Sequence, residues 1–414
     1  MREFFRQYGS YFREIYYYFG SAVVVACIGI LINPFLAKNL SPEDYAIIGY
    51  YTSFTTLLVP LLHFNLITYY LRNYYRLPEE KRQITSDTIL LAMMGYGAIA
   101  VCIGTGIFYF FYMYMQVGFP FFPYAVLVFL QTYFSIFFTY YTVRLRIQRK
   151  ARRFAFVTLL NSLLGVLFSI LWVVLYKYGA DGRLWALLVT SFLMAVYSFL
   201  KTFGKFEFDF QILKEALRFG APLTLSALFW YFYTGIDRIF LEELGDIVQL
   251  GIYTVGMQMA AYLMFFYTAL GNALEPDIYK AIAENNRKKL FLLIGGIVGS
   301  VGFINLLFIV VAPYVIDILT AGRYVQSTPF ARILALQNIT VVIFYMIVRL
   351  LIGYGYVKKE LMMRVAGAVV SVVLFKVLIS SFGFYGAAWG QVLSFLLLSM
   401  IGALFLFVKR KALI

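Results

Sequence analysis

The chain has 414 residues, of which 62% are hydrophobic, 20% aromatic and 13% charged, with a mean hydropathy of +0.81. That composition excludes a soluble domain. A net charge of +15 would point to nucleic acid in a soluble protein, but in a membrane chain it reflects cationic loops held against anionic headgroups, so membrane lipid is the expected partner and nucleic acid is not.

A crossing of the hydrocarbon needs roughly 20 apolar residues, and twelve such stretches can be marked. Residues 1–14 are basic and aromatic without a small-residue cleavage site, and read as a cytoplasmic interfacial helix. The stretches follow at 15–37, 45–71, 86–115, 119–143, 154–176 and 184–200. After a linker at 201–216, read as cytoplasmic, they resume at 217–241, 247–274, 290–316, 330–356, 362–382 and 385–408, leaving a tail at 409–414. Counting those within two residues of a stretch's edge with the adjoining connection, 27 of the 35 Lys and Arg fall in alternate connections and the two ends, 5 in the opposite connections, and 3 (Arg238, Arg349, Lys376) deeper inside the stretches. Short cationic loops stay on the cytoplasmic side, so the expectation is a multi-pass protein of the bacterial cytoplasmic (inner) membrane with both ends in the cytosol. No connection is long enough to fold as a soluble domain.

The second half repeats the first at an offset of about 200 residues. Phe19-Gly20 recurs as Phe219-Gly220, and Tyr51-Thr52 as Tyr253-Thr254. Gly179-x-x-Gly182-x-x-Trp185, followed by Ser191-Phe192-Leu193, recurs as Gly383-x-x-Gly386-x-x-Trp389, followed by Ser394-Phe395-Leu396. An even number of stretches per half gives both halves the same orientation, so the repeats are parallel. The expected fold is an all-α membrane protein of twelve transmembrane helices in two six-helix bundles, 15–200 and 217–408.

Ionisable residues inside the stretches are the candidates for function. Arg349 lies nine residues before Lys358, roughly 13 Å in from the loop charges at 1.5 Å per residue. Holding a guanidinium there costs about 2.5 kcal/mol or more, which fits either phosphate binding in a cationic cavity or a structural role against carbonyls and the interface. Arg144 takes the equivalent place in the first half (Val143-Arg144-Leu145 against Val348-Arg349-Leu350) and also begins a cationic loop. Lys376 is deep in the eleventh stretch and reads as a second cavity cation or a partly buried structural one. Asp237 and Arg238 adjoin near the outer end of the seventh; they form an ion pair or offer Asp237 for coupling to H+ or Na+. Glu275 and Asp277, beside Pro276, read as a cytoplasmic gate or a helix end. His63, the only histidine, reads as hydrogen-bonded core, and Cys27 and Cys102 as small packing residues, with no disulfide or metal site implied.

Lys38-Asn39-Leu40, Pro42-Glu43-Asp44-Tyr45 and Gly49 resemble the first outside turn of the polysaccharide-transport flippases, in the superfamily that also holds multidrug and toxic-compound extruders and the lipid II flippase. Leu217-Arg218-Phe219-Gly220 with Pro222, Gly235 with Asp237-Arg238 and Leu241, and Gly251 with Tyr253-Thr254-Val255 are similar to that family's seventh span and its exit. Glu275-Pro276-Asp277 with Tyr279-Lys280 resembles the cytoplasmic end of the eighth, and Gly383, Gly386 and Trp389 the start of the twelfth. Lys376 departs from the pattern, where the family often carries asparagine. The resemblance covers essentially the whole chain. It implies a flippase that moves polyprenyl-pyrophosphate-linked oligosaccharide to the periplasmic leaflet for O-antigen, capsule or exopolysaccharide assembly, by alternating access around a cationic cavity. A coupling ion, H+ or Na+, and a glycan polymerase partner stay open, as do a cation-coupled multidrug or metabolite antiporter and a lipid II flippase as alternative readings.

Catalysis finds no footing in the sequence. There is no glycine loop followed by lysine to cradle nucleotide phosphates, no acid and histidine pair on an outer loop, and no large outer loop of the kind a glycan polymerase needs. No enzyme activity and no cofactor are expected.

Overall fold

The structure, a computed structural model, describes residues 2–75, 77–204 and 207–411. Lys205 and Phe206 of the expected linker and residues 412–414 of the expected tail lie outside the described residues. Among the described residues the chain is helical and has no strand. Contacts divide it into two compact units, Met1–Leu40 with Tyr51–Leu228, and Ser41–Tyr50 with Phe229–Ile414.

In the first unit α1 (Arg2–Leu31) passes Ile32 into α2 (Asn33–Asn39), with Pro34 in the first turn, where no intrahelical N–H is needed. α3 (Pro42–Ser53) begins in the second unit, where Tyr45 meets Tyr324 edge-on at 5.1 Å. Past Tyr50 the chain is back in the first, and the Tyr51 hydroxyl donates to the Pro120 carbonyl at 2.7 Å. α4 (Thr55–His63) and α5 (Leu66–Asn73) are separated by Phe64 and Asn65, both left-handed at φ 46° and 52°. His63 closes that break, its Nδ1 accepting the Asn65 backbone N–H at 2.9 Å. α6 (Glu79–Met115), α7 (Tyr124–Ile147), α8 (Ala151–Ser169), α9 (Gly179–Thr202) and α10 (Phe210–Leu228) follow, α8 running on through a π-helical turn at Ile170–Leu175. α7 is the central helix and α8 peripheral: 61% of the apolar window of Tyr124–Ile147 is buried against 17% for Ala151–Leu175.

The second unit holds α11 (Tyr231–Thr234), α12 (Asp237–Glu242), α13 (Ile247–Ala261), α14 (Met264–Ala283), α15 (Arg287–Thr320), α16 (Thr328–Gly353) and α17 (Val357–Lys411). α16 is its axis. Val341, Phe344, Val348 and Leu351 pack toward α17, while Val342 and Met346 pack toward α14 and α15. α17 is two arms, because Gly383 adopts φ 56°, ψ −133°, outside the helical region. Met363 and Ala368 of the first arm share a cluster with Phe395 and Leu398 of the second, so the arms lie antiparallel.

The repeated glycines both stand at a positive φ and are both followed by a close backbone approach. Gly179 (φ 55°) opens α9 and Gly383 (φ 56°) opens the second arm of α17, a left-handed backbone that glycine adopts without strain. Three residues on, a Cβ at Gly182 would fall 2.9 Å from the Trp172 carbonyl oxygen and one at Gly386 1.9 Å from that of Leu378. Only glycine allows so close an approach of backbones, as membrane helices need in the absence of a hydrophobic drive between them. Trp185 and Trp389 follow, exposed to 45% and 43%.

Among the described residues ten helices are long and apolar enough to cross a membrane. They differ from the twelve expected stretches at two places: 217–241 is broken among α10, α11 and α12, and the last two stretches are joined as Lys358–Phe407. Large apolar side chains stand exposed at helical spacing, as with Ile99, Ile103, Ile107 and Phe110 on α6; such stripes need lipid as solvent. The protein is a multi-pass membrane protein. Cys27 and Cys102, expected as small packing residues, are exposed.

Candidate functional site

Two pockets in the second unit share Met264 and Tyr345 as walls. The first, about 310 Å³, is lined by Tyr267, Glu275 and Tyr279 of α14 and Tyr345 and Arg349 of α16, a volume at the lower end of ligand sites. Arg349 lies in the last turns of α16, where helix carbonyls favour a cation. Its side chain is 12% exposed, and Nη2 is 3.4 Å from Glu275 Oε2. Among the described residues Nη1, which is buried, has no hydrogen-bond partner. A buried charged donor without a partner is costly to maintain, so this atom is poised for an anion.

Aromatic faces connect the two pockets. Tyr345 stacks on Tyr267 at 5.4 Å and 2° between planes, and on Trp230 at 5.8 Å and 13°. The second pocket, about 210 Å³, adds Thr234, Gln337, Asn338 and Gln391. Gln337 Nε2 donates to Gln391 Oε1 at 3.2 Å, and Gln391 Nε2 to Asp237 Oδ2 at 3.2 Å. Asn338 Nδ2 donates to the Ala260 carbonyl at 2.9 Å and to Asn305 Oδ1 at 3.0 Å.

Behind this wall Asp237 and Arg238 form a buried ion pair. Arg238 Nη1 donates to Asp237 Oδ1 at 2.8 Å and Oδ2 at 3.0 Å, and the Tyr253 hydroxyl to Oδ2 at 2.8 Å. The guanidinium lies 5.6 Å from the centre of the Tyr253 ring and also meets Met257 Sδ. Both carboxylate oxygens therefore have donors, as burial of a charge requires.

The remaining sequence candidates, Arg144, Lys376 and Asp277, line neither pocket. Arg144, in the last turn of α7, donates to the Thr202 carbonyl at 2.5 Å and Ser86 Oγ at 3.2 Å through Nη1, and to Gln83 Oε1 at 2.8 Å through Nη2; it ties α7 to α6 and the end of α9. Lys376 is exposed on the face of α17 that carries Val369, Val373 and Val377. Asp277 faces Lys289 at 3.6 Å, with both side chains well exposed. Sequence reasoning missed Gln337, Gln391 and the Trp230–Tyr345–Tyr267 ladder. Amides inside apolar stretches are a legible signal; which tyrosines stack is not.

The fold is that of the MATE transporters. The chain superposes on the inward-facing conformation of a multidrug resistance MATE family transporter of the MOP superfamily with a TM-score of 0.71, covering 94% of this chain and 95% of that one at 16% identity. It superposes on the lipid II flippase MurJ, inward closed, with a TM-score of 0.68, covering 94% and 86% at 15% identity. Residues 12–278 match the family described as polysaccharide biosynthesis protein, and the chain belongs to it. The match includes Arg144, Asp237, Arg238, Glu275 and Asp277; Arg349 and Lys376 lie beyond it. An uncharacterized membrane protein of Haemophilus influenzae is 24% identical over 272 residues, and that alignment spans 63% of this chain and 63% of the relative.

Proposed function

We propose that the protein is a flippase that carries polyprenyl-pyrophosphate-linked oligosaccharide from the cytoplasmic to the periplasmic leaflet of the bacterial inner membrane, for assembly of a surface polysaccharide. The observation that carries the reading is the paired pocket: a buried guanidinium with a donor to spare at one end, amides at the other, and aromatic faces between. Guanidinium matches phosphate oxygens in charge and geometry, amides bond hydroxyls, and flat rings stack on the C–H faces of sugars. The headgroup needs such a polar shelter because hydrocarbon solvates neither phosphate nor hydroxyl, whereas the polyprenyl tail can stay in the bilayer. Membership of a polysaccharide biosynthesis family supports the saccharide part.

In this reading the broken α10–α12 region counts as one crossing and the arms of α17 as two, which gives twelve crossings with both ends in the cytosol. The pocket opens alternately to the two faces. Arg349 is the phosphate cation; Arg144 supports the cycle as the tie among α6, α7 and α9, and Lys376, exposed on α17, is the remaining candidate for contact with the anionic lipid. Asp237, within its network, is the candidate for coupling to H+ or Na+.

Reconstituted vesicles carrying a fluorescent polyprenyl-pyrophosphate oligosaccharide test the proposal. Native protein is expected to move the probe, and Arg349→Ala to slow it at least tenfold, about 1.4 kcal/mol. Equal rates would remove Arg349 from the path. No native transport of several glycans under either ion gradient, with efflux of an organic cation instead, would turn the assignment to an antiporter.

A further inference from the structure

We infer that Glu275 is the resident counter-anion of Arg349, a carboxylate that holds the phosphate seat until an anionic headgroup displaces it, and so acts as a specificity-determining residue of the pocket. The inference rests on the proposed reading of Arg349 as the phosphate cation.

The geometry is that of a displaceable pair. Arg349 Nη2 and Glu275 Oε2 are 3.4 Å apart, at the long end of a hydrogen bond, whereas the structural pair Asp237–Arg238 closes to 2.8 Å. The two partners differ in freedom: the Glu275 side chain is 39% exposed and that of Arg349 12%, so the carboxylate has room to leave and the guanidinium does not. Nη1 has no partner among the described residues, and a phosphate can seat there first, then take Nη2 as its second contact. The pair is neutral as a unit. A neutral or weakly anionic lipid gains little by breaking it, while a pyrophosphate, with more charge than one carboxylate, out-competes Glu275 for the cation. The neighbouring Asp277 faces Lys289 at 3.6 Å and takes no part, which makes it a control for charge alone.

Equilibrium dialysis of the purified full-length protein in detergent against inorganic pyrophosphate tests this. Glu275→Gln is expected to bind about fivefold more tightly than native, the scale of one partly exposed ion pair. Glu275→Asp, which keeps the charge on a shorter arm, should fall between, Asp277→Asn should match native, and Arg349→Gln should lose binding. Affinity in Glu275→Gln equal to or below native, with binding lost in Arg349→Gln, would overturn the inference and leave the phosphate reading intact. Equal tightening in Glu275→Gln and Asp277→Asn would overturn it as a general charge effect. Retention of native affinity in Arg349→Gln would overturn both readings. Should gel filtration find Glu275→Gln misfolded, Glu275→Asp decides, and no gain in affinity there overturns the inference.

Discussion

Arg144 and Arg349 occupy matching places near the ends of α7 and α16, yet their surroundings give them different chemistry. Arg144 has three acceptors within 3.2 Å, whereas Arg349 has, among the described residues, one distant carboxylate and a donor to spare. The same residue type in the same register is a tie in one unit and an anion seat in the other. Asp237 and Arg238 are a third case, with relative side-chain exposures of 0% and 7%. Removing one member of such a pair leaves the other charged and desolvated, a loss of about 3–5 kcal/mol, while replacing both by neutral residues of similar size is close to neutral. Asp237→Asn is therefore expected to lower the thermal midpoint followed by tryptophan fluorescence, and Asp237→Asn with Arg238→Met to recover most of it. A single variant as stable as native would show that the pair has little structural role.

Among the elements, α17 is the most informative. A straight helix of 50 residues would be about 75 Å long against about 30 Å of hydrocarbon, so the reversal at Gly383 is what makes the segment fit. Gly386 lets the second arm start against the Leu378 backbone. Gly386→Ala should cost about 1–3 kcal/mol through overpacking and lower both the thermal midpoint and the yield of folded protein. Gly295→Ala on α15, where a Cβ meets nothing within 4 Å, should be silent or slightly stabilising. Equal behaviour of the two variants would argue against the close approach. The broken helices α10 to α12 tell the complementary story. Gly235 ends α11 at φ −129°, and the chain re-enters a helix with Asp237 in its first turn, which points the acid at Tyr253 and Gln391 instead of leaving it on an outer face.

For the whole molecule, the arrangement of basic loops is a statement about sidedness. With Cys27 and Cys102 replaced by serine, single cysteines at Lys150 and Glu284, both exposed, should react with a membrane-impermeant maleimide only from the cytosolic face. Cysteines at Gln116 and Glu243, also exposed, should react only from the outside. Labelling of Glu284→Cys from the outside would mean an odd number of crossings between positions 150 and 284, and would break the count of twelve.

Membrane residence, helical class and the turns at Gly179 and Gly383 were legible from composition and order alone. Partition into hydrocarbon depends on local apolar content, backbone hydrogen bonds in lipid must close within the segment, and the turns at Gly179 and Gly383 carry glycine at a positive φ, whereas the break at Phe64 and Asn65 carried no such mark. The repeat at Gly179 and Gly383 was visible for that reason. The chemistry of the charged residues was not. Arg144 meets its acceptors across 58 and 61 residues, Arg349 meets Glu275 across 74, and Asp237 meets Gln391 across 154. A charge is a tie, a buried pair or a ligand seat according to which distant side chain packing brings beside it, and that is decided only when the helices assemble.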